Sequence, residues 1–565
     1  MAAYIVEGFL DVRFLIYCLS PLVLSGVILA GTRIFTTLRY RREVAVALHG
    51  SSQRYTPPHV PYTIPLLGSA LSFLDTRPGL FWNRLLSWYP RETGACTLML
   101  GGRPLHVVFH PVALEALFKN RELSRDGFIV EDIAIKGLGL EPAMAKKFFG
   151  HGDTDTTPMA RTGRYPHEMH SWVNQDFILK SERVNELTAQ FARLLREHLA
   201  DDLDNCPPDG HQVKLNRWLR GRMFHASTDM LFGSSLLKEY PELEEDFFEF
   251  DRHFLSLFFG FPRILNRKAH SVREKVFAGI IRWQNKMEEA IQQGGKFSPA
   301  EGKVDWEPMF GSRANRVRQF YYRDLGIDVR TRAGLDAGFL IGITSNSTPA
   351  AGWILMNILD PSDKERTLYH RVRAELDQIR RPSDGLPDIP RLLGLPLLNS
   401  IFQETLRLYV DVLVTRDVKE PLLLPVDNGR QLYFSPGGLL ISPSWPTHRD
   451  SDHWTGPPVD QFYPDRFLTS DPDTGKLHFS TSRNAGKMFP FGGGKTVCPG
   501  RVFAKQEIFF TIAYILLNFD FDVLGCVNGK GSPTSQFPSF RNSYPGSAVV
   551  VAEGDIRVTM RKREY

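Results

Sequence analysis

Toward its C-terminal end the chain reads Phe491-Gly-Gly-Gly494-Lys-Thr-Val-Cys498-Pro-Gly500-Arg501, and then becomes strongly apolar. Phe503, Ile508, Phe509, Ile512, Ile515 and Leu516 fall at helical spacing, so the stretch is a glycine-rich loop delivering one cysteine to the start of a long helix. Pro499 suits the first helical position, where its missing N–H costs nothing and its φ is already helical. A cysteine at that place faces unpaired backbone N–H groups and the positive end of the helix dipole, both of which favour thiolate over thiol. Gly494 and its neighbours let the backbone approach the sulfur closely, and Phe491 can shield that face from water.

A shielded thiolate with amides aimed at it suits an axial iron ligand, because such contacts set its electron donation. Gly494-Lys495-Thr496 imitates the end of a phosphate-binding loop, but the first glycine of that motif would fall on Phe489, so the phosphate reading fails. The full string F-x-x-G-x-x-x-C-x-G resembles the haem loop of the cytochrome P450 superfamily. That resemblance implies Cys498 as the axial ligand of haem b iron, with Phe491, Gly494, Lys495 and Gly500 around the cofactor. Many family members carry a basic residue two before the cysteine, where it meets a haem propionate; here it is Thr496. The resemblance therefore passes that role to Lys495 or to Arg416, which follows Val412-Leu-Val-Thr.

A second informative stretch is Gly334–Leu359, apolar except for the island Thr344-Ser345-Asn346-Ser347-Thr348 directly before Pro349. Proline within a helix removes a hydrogen bond and bends it. Short polar side chains can satisfy the freed carbonyl and hold water, so a locally satisfied kink is the plain reading. The resemblance instead sets the island over the iron and implies Thr344, Ser345 and Asn346 as catalytic. The family's usual acid–alcohol pair would fall on Ser345 and Asn346, and neither is the usual residue. Asn346-Ser-Thr-Pro349-Ala350-Ala-Gly-Trp353, together with Phe250-Asp251, is similar to the branch containing sterol 7α-hydroxylases and prostacyclin synthase. Asn346 can orient a water or a peroxide, yet it is no acid near neutral pH.

Glu404 and Arg407 stand three apart in an apolar helical stretch (Ile401, Phe402, Leu406, Leu408), on one face. Alone they would be a routine ion pair. In the family they join an arginine such as Arg466, in Pro464-Asp-Arg466-Phe467, as a buried structural triad. The helical stretch from Glu168 to Leu199 holds Trp172, but Asp176 stands where many members have an arginine near the propionates. Phe247 to Pro262 is rich in phenylalanine, which fits equally an ordinary core and an apolar roof over a substrate pocket.

From Phe14 to Thr32 the chain is uncharged and mostly apolar, and Arg33, Arg39, Arg41 and Arg42 follow, a pattern predicting a membrane span with the rest of the chain in the cytosol. Pro57, Pro58, Pro61 and Pro65 then predict a stiff non-helical connector. Leu98 to Phe109 predicts a β-hairpin turning at Gly101-Gly102. The five cysteines are scattered with no C-x-x-C pair, which argues against a zinc site or a disulfide framework. A net charge of +5 with dispersed basic residues gives no footprint for nucleic acid.

The expected fold is mainly α with a small β region, the cytochrome P450 (haem-thiolate) fold with an N-terminal membrane anchor. The expected organisation is a lumenal segment over 1–13, an anchor over 14–32, a basic and proline-rich hinge over 33–68 and the catalytic domain over 69–565. The implied activity is monooxygenation of a lipophilic substrate (a sterol, terpenoid or other polycyclic natural product) at the endoplasmic reticulum membrane, in a style of chain that suggests fungal secondary metabolism. No dinucleotide fingerprint follows a strand, so the electrons would come from NADPH–cytochrome P450 reductase, with cytochrome b5 as a further donor, docking around Lys487, Lys495, Arg501 and Lys505. Two alternatives stay open: an electron-independent isomerase or dehydratase of a peroxide, and a non-catalytic membrane-anchored lipid-binding haem protein.

Overall fold

The computed structural model describes residues 12–73, 77–120, 122–123, 127–149, 166–261, 263–294, 306–379, 387–484, 486–494, 497–541 and 548–564. They form two compact units: one takes Met1–Asp75, Gly79–Arg125 and Leu413–Pro446, and the other takes Thr76–Pro78, Asp126–Val412 and Thr447–Tyr565. Helix predominates throughout, with small sheets in each unit.

The first unit begins with a long helix, Val12–His49 (α1), in which Leu22, Val23, Leu24 and Val27 are all more than 60% exposed. Bare apolar side chains on a helix of this length fit lipid, so α1 is a candidate anchor. The sequence reading stops the anchor at Thr32 and expects a hinge from residue 33. The helix instead runs through all four arginines to His49, because no proline or glycine stands between Thr32 and Gly50. Its lower end is tied to the proline-rich connector, which is non-helical as expected: Arg33 donates to the Pro61 carbonyl at 2.8 Å and Thr36 to the Tyr62 carbonyl at 2.9 Å. Helices Leu80–Trp88 (α2) and Pro111–Lys119 (α3) are the unit's next longest.

The four-stranded sheet of this unit runs in the order Ala95–Leu100, Arg103–Val108, Leu439–Pro443, Leu413–Asp417. Its first two strands are the predicted hairpin, paired Leu98 to Leu105 and Leu100 to Arg103. Gly101 and Gly102 take φ of 59° and 80°, the left-handed pair a tight two-residue hairpin turn requires.

The second unit is built on helices. The longer ones are Ser181–Asp204 (α4), Leu215–Phe232 (α5), Leu243–Phe258 (α6), Arg267–Gln292 (α7), Arg313–Asp324 (α8), Val329–Ile358 (α9), Thr367–Asp377 (α10), Pro396–Tyr409 (α11) and Arg501–Asn518 (α12). The axis is α9, packed against α5, α7, α11 and α12. Being covered on most sides explains why its sequence is apolar nearly all round. A sheet ordered Pro533–Thr534, Phe519–Val527, Asp555–Lys562, His211–Lys214 closes the unit, its second strand continuing straight out of α12.

Two expectations change here. The helical stretch from Glu168 to Leu199 is not continuous: wide turns over Gln175–Leu179 end at Lys180, whose ψ of 126° is extended, and α4 starts afresh at Ser181. Lys180 is neither proline nor glycine, so the sequence gives no mark of the break. The phenylalanine-rich stretch divides in two. Phe247, Phe250, Phe254 and Leu257 are buried at i, i+3, i+7 and i+10 on α6, and Phe250 packs on Phe254 and Phe277 with ring centroids 5.8 and 6.4 Å apart. Phe261, at the end of the stretch, is 37% exposed, and Ile264 and Leu265 just beyond it are 72% and 77% exposed.

Candidate active site

Cys498 is half-buried at the end of the glycine-rich loop, just before α12. Gly492 and Gly494 take φ of 75° and 64°, a left-handed backbone that other residues adopt at a cost. The loop closes on itself, Cys498 N–H donating to the Phe491 carbonyl at 2.9 Å. Arg501 donates to the Cys498 carbonyl at 3.1 Å. The helix begins at Arg501 with Gly500 as its N-cap, so Pro499 lies in the turn ahead of it rather than at the first helical position. A methyl group on Gly500 would sit 3.9 Å from the Cys498 sulfur, an ordinary contact, so glycine leaves the flank of the sulfur open without being sterically required there. Lys495 and Thr496 lie outside the described residues.

The loop hangs from a buried polar network. Arg407 donates through Nε and Nη2 to both oxygens of Glu404, at 2.7 and 2.8 Å, and Arg466 Nε lies 3.1 Å from each of the same oxygens. All three side chains are nearly or wholly buried. Arg407 also donates to the carbonyls of His448 and Val459, at 2.9 and 2.7 Å. His448 in turn accepts the Phe489 N–H on Nε2 at 3.0 Å. Burial, and then the charges of Arg449 and Arg407, push the His448 imidazole down to about 3, so it is neutral and Nδ1 carries the proton. The sequence reading takes His448 only as part of a structural turn; that its side chain would hold the cysteine loop has no signal in the sequence.

On α9, Thr344 donates to the Leu340 carbonyl and Ser347 to the Ile343 carbonyl, each at 2.8 Å, so both hydroxyls are used within the helix around Pro349. The Asn346 side-chain oxygen accepts two amides of the C-terminal segment, Ala548 and Val549, at 3.0 and 3.1 Å. That segment is held elsewhere too, by Trp353 Nε1 on the Val550 carbonyl and by Asp411 N–H on the Ala548 carbonyl, at 2.7 and 2.8 Å. With its oxygen taken, Asn346 has only N–H donors left to offer. From Ala333 to Ile358 the residues that are not buried are Gly338, Phe339, Gly342, Ile343, Asn346 and Pro349, which at steps of three and four form one open stripe.

Arg416 belongs to the other unit, on strand Leu413–Asp417, with its guanidinium buried and donating to the Thr415 carbonyl at 2.7 Å. Asp176 pairs with Lys180 at 2.8 Å. Of the cations expected to receive an electron donor, Lys505 is turned onto the Phe509 ring at 5.1 Å and burial lowers its pKa, while Arg501 is engaged with Cys498. Sequence reasoning also passed over Glu507, buried on α12, which accepts from Ser227 of α5 at 2.6 Å and lies close to Ser347 of α9.

Haem fits these residues: a soft thiolate donor held by a loop with left-handed glycines, its flank open at Gly500, beside a helix packed against α9. Residues 337–539 match the cytochrome P450 family model. Over 484 residues the chain is 28% identical to the cytochrome P450 monooxygenase calL of Penicillium decumbens, covering 84% of this chain and 87% of that one. It is 27% identical to the cytochrome P450 monooxygenase efuG of Hormonema carpetanum, covering 96% and 97%. A 26% match covers 53% of this chain and 58% of cytochrome P450 7A1 of Oryctolagus cuniculus. Residues 337–539 therefore carry a cytochrome P450 domain, and the chain, with its cysteine loop, buried triad and α9-centred helical fold, is similar over most of its length to fungal cytochrome P450 monooxygenases.

Proposed function

We propose that the chain binds haem b through Cys498 and inserts one atom of dioxygen into a lipophilic polycyclic substrate, a sterol or terpenoid, in fungal secondary metabolism. The observation carrying this reading is Cys498 at the mouth of α12 in a loop with every residue of the haem-thiolate string. When bound, haem supplies the site that activates dioxygen, tuned by its thiolate ligand. Phe491 covers the thiolate side against water, and Arg416 and Lys495 are the cations proposed for the propionates. Of Thr344, Ser345 and Asn346, the residues proposed to serve the oxygen chemistry, Asn346 lies on the open stripe of α9 and contributes N–H donation alone, while Thr344 and Ser345 are buried beside it. The α1 helix holds the chain to the endoplasmic reticulum membrane with the catalytic part in the cytosol, where NADPH–cytochrome P450 reductase and cytochrome b5 can reach it. The branch likeness of Asn346 to Trp353 supports the sterol or terpenoid class.

The test is turnover under ¹⁸O-labelled dioxygen, in membranes with a reductase, supplied with a lipid extract of the source cells. A product heavier by one labelled atom and formed only with NADPH is expected. A product formed without NADPH and carrying no label would replace this reading with a peroxide isomerase. Cys498→Ser should abolish the thiolate spectrum of the ferrous carbon monoxide complex.

A further inference from the structure

A cavity of about 310 Å³ opens in the first unit where α1 meets the proline-rich connector. Ile64, Leu71, Phe81, Leu85, Trp88 and Leu98 give it mostly apolar walls. Leu71 and Trp88 line it while being 62% and 71% exposed, so they mark its mouth, and Leu66 in the adjoining turn is 84% exposed. Large apolar side chains bared around a hollow point to an apolar partner. The hollow also holds charge of one sign: Arg33 and Arg84 line it, and among the described residues no carboxylate does. Arg33 donates to the Pro61 carbonyl at 2.8 Å and stands beside the Tyr89 hydroxyl, with no described carboxylate as its partner. Arg39, farther along the same helix, is by contrast paired with Glu43 at 2.8 Å. A guanidinium is always charged and carries five N–H donors, so Arg33 has donors left to offer.

Position decides which apolar partner this is. Arg33 is the first charge after the uncharged run Phe14–Thr32, and Ile34 and Phe35 beside it are exposed. With α1 in a bilayer, Arg33 stands where hydrocarbon gives way to headgroups. The cavity is held at that level, because the connector is fastened to α1 just below it. Thr36 donates its hydroxyl to the Tyr62 carbonyl at 2.9 Å and accepts the Tyr62 N–H at 3.3 Å. Tyr62, Trp88 and Tyr89 in the lining are of the residue types that favour this interface. A phospholipid presents there a phosphate at the end of hydrocarbon, and the cavity presents a guanidinium at the end of an apolar wall.

We infer that this cavity binds one anionic phospholipid of the cytosolic leaflet, with its phosphate on Arg33 and the first carbons of a chain along Ile64, Leu71, Phe81 and Trp88. The volume takes a headgroup phosphate and the adjoining carbons, and the rest of the lipid stays in the bilayer. The guanidinium fork matches two phosphate oxygens. A lining with cations and no described acid repels the ammonium of a zwitterionic headgroup, so the preference is for net negative lipids. Arg41 and Arg42 lie about 12 Å farther along the helix and are not part of the lining. The bound lipid gives the first unit a second hold on the membrane besides α1. This inference rests on the reading of α1 as a membrane anchor given above.

The test uses the full-length holoenzyme, delipidated in a neutral detergent, titrated with dioleoyl phosphatidylserine and read by native mass spectrometry. One phosphatidylserine per chain is expected, with dioleoyl phosphatidylcholine at least about tenfold weaker. Arg33→Gln should weaken phosphatidylserine binding at least about tenfold. Leu71→Asp should do the same while keeping the arginine, and as a change at an exposed position it leaves a folded chain to measure if Arg33→Gln does not. Joint replacement Arg41→Gln and Arg42→Gln should leave the affinity within about twofold. Equal binding of the two lipids would overturn the site, and so would unaltered phosphatidylserine binding in a folded Leu71→Asp. A loss confined to the Arg41 and Arg42 replacements would overturn it in favour of general attraction between juxtamembrane arginines and anionic lipid. Flotation of the wild type with phosphatidylcholine vesicles examines the anchor separately. A chain that does not float counts against α1 as an anchor, and the detergent titration still decides whether the cavity takes lipid.

Discussion

His448 accepts the backbone N–H of Phe489 at 3.0 Å, and through this bond the cysteine loop is tied to the network of Glu404 and Arg407. Removing the imidazole in His448→Ala leaves the Phe489 N–H without its partner and takes away a ring packed on Phe489 at 5.4 Å. The expected loss is about 1–3 kcal/mol for the orphaned amide, with more from the cavity, read as a lower unfolding midpoint and lower haem retention on gel filtration. The group also has a pH signature. Its folded pKa is lowered to about 3 from the usual 6.5, so the stabilisation is present above 6.5 and is lost as pH falls toward 3. A His448→Asn variant that keeps the acceptor should show a shallower loss of midpoint between those values.

The triad is predicted to respond unequally. Arg466→Ala leaves Glu404 with Arg407, whereas Arg407→Ala also strips donors from the His448 and Val459 carbonyls. Either change leaves a buried charge under-compensated and should cost roughly 3–5 kcal/mol, with Arg407→Ala the more severe. Arg407→Lys should not rescue, because a single ammonium cannot reproduce the fork that meets both Glu404 oxygens. Denaturant midpoints of the three variants provide the ranking; equal loss in the two alanine variants would contradict it.

Asn346 is expected to act as a tether for the C-terminal segment whatever else it does in turnover. Asn346→Asp retains an oxygen for the Ala548 and Val549 amides, and Asn346→Leu does not. Hydrogen exchange at those two amides should quicken in Asn346→Leu by about tenfold, the equivalent of one hydrogen bond near 1.4 kcal/mol, and stay close to wild type in Asn346→Asp. Exchange rates indifferent to both changes would remove the tether.

Much of this architecture is legible where the chemistry is local. The hairpin at Gly101-Gly102, the apolar face of α12 and the pairing of Glu404 with Arg407 each follow from spacing a few residues long, and the structure has them. What the sequence does not carry is contact between distant segments. Nothing near Asn346 points to Ala548, and nothing near His448 points to Phe489, because a hydrogen bond across some 200 or 40 residues leaves no periodic trace. The long α1 shows the converse failure: arginines that read as the end of a span are good helix formers, and the helix simply continues to Gly50. The basic residues grouped around Cys498 likewise look like one face in the sequence, yet Lys505 folds its stem over Phe509.

Glu507 gives the sharpest pH prediction. It is fully buried on α12, where it accepts from Ser227 and lies close to Ser347 of the polar island, and burial raises its carboxyl to about 8 against the partial offset of those hydroxyls. The folded chain therefore keeps a proton there at pH values where the unfolded chain has lost it. A raised folded pKa contributes stability that is complete below the unfolded value near 4.5 and is lost as pH climbs through about 8. At about 1.4 kcal/mol for each pH unit of that window, the loss amounts to a few kcal/mol. Glu507→Gln holds the shape and a neutral acceptor but cannot ionise, so its unfolding free energy should vary less between pH 5 and 8 and exceed wild type at the alkaline end. Glu507→Ala should be destabilised across the range, since it opens a cavity between α5, α9 and α12 and strands the Ser227 hydroxyl. Denaturant titrations of the three chains at pH 5, 6.5 and 8 decide the matter: parallel curves for wild type and Glu507→Gln would mean that this carboxyl does not carry a proton into the fold.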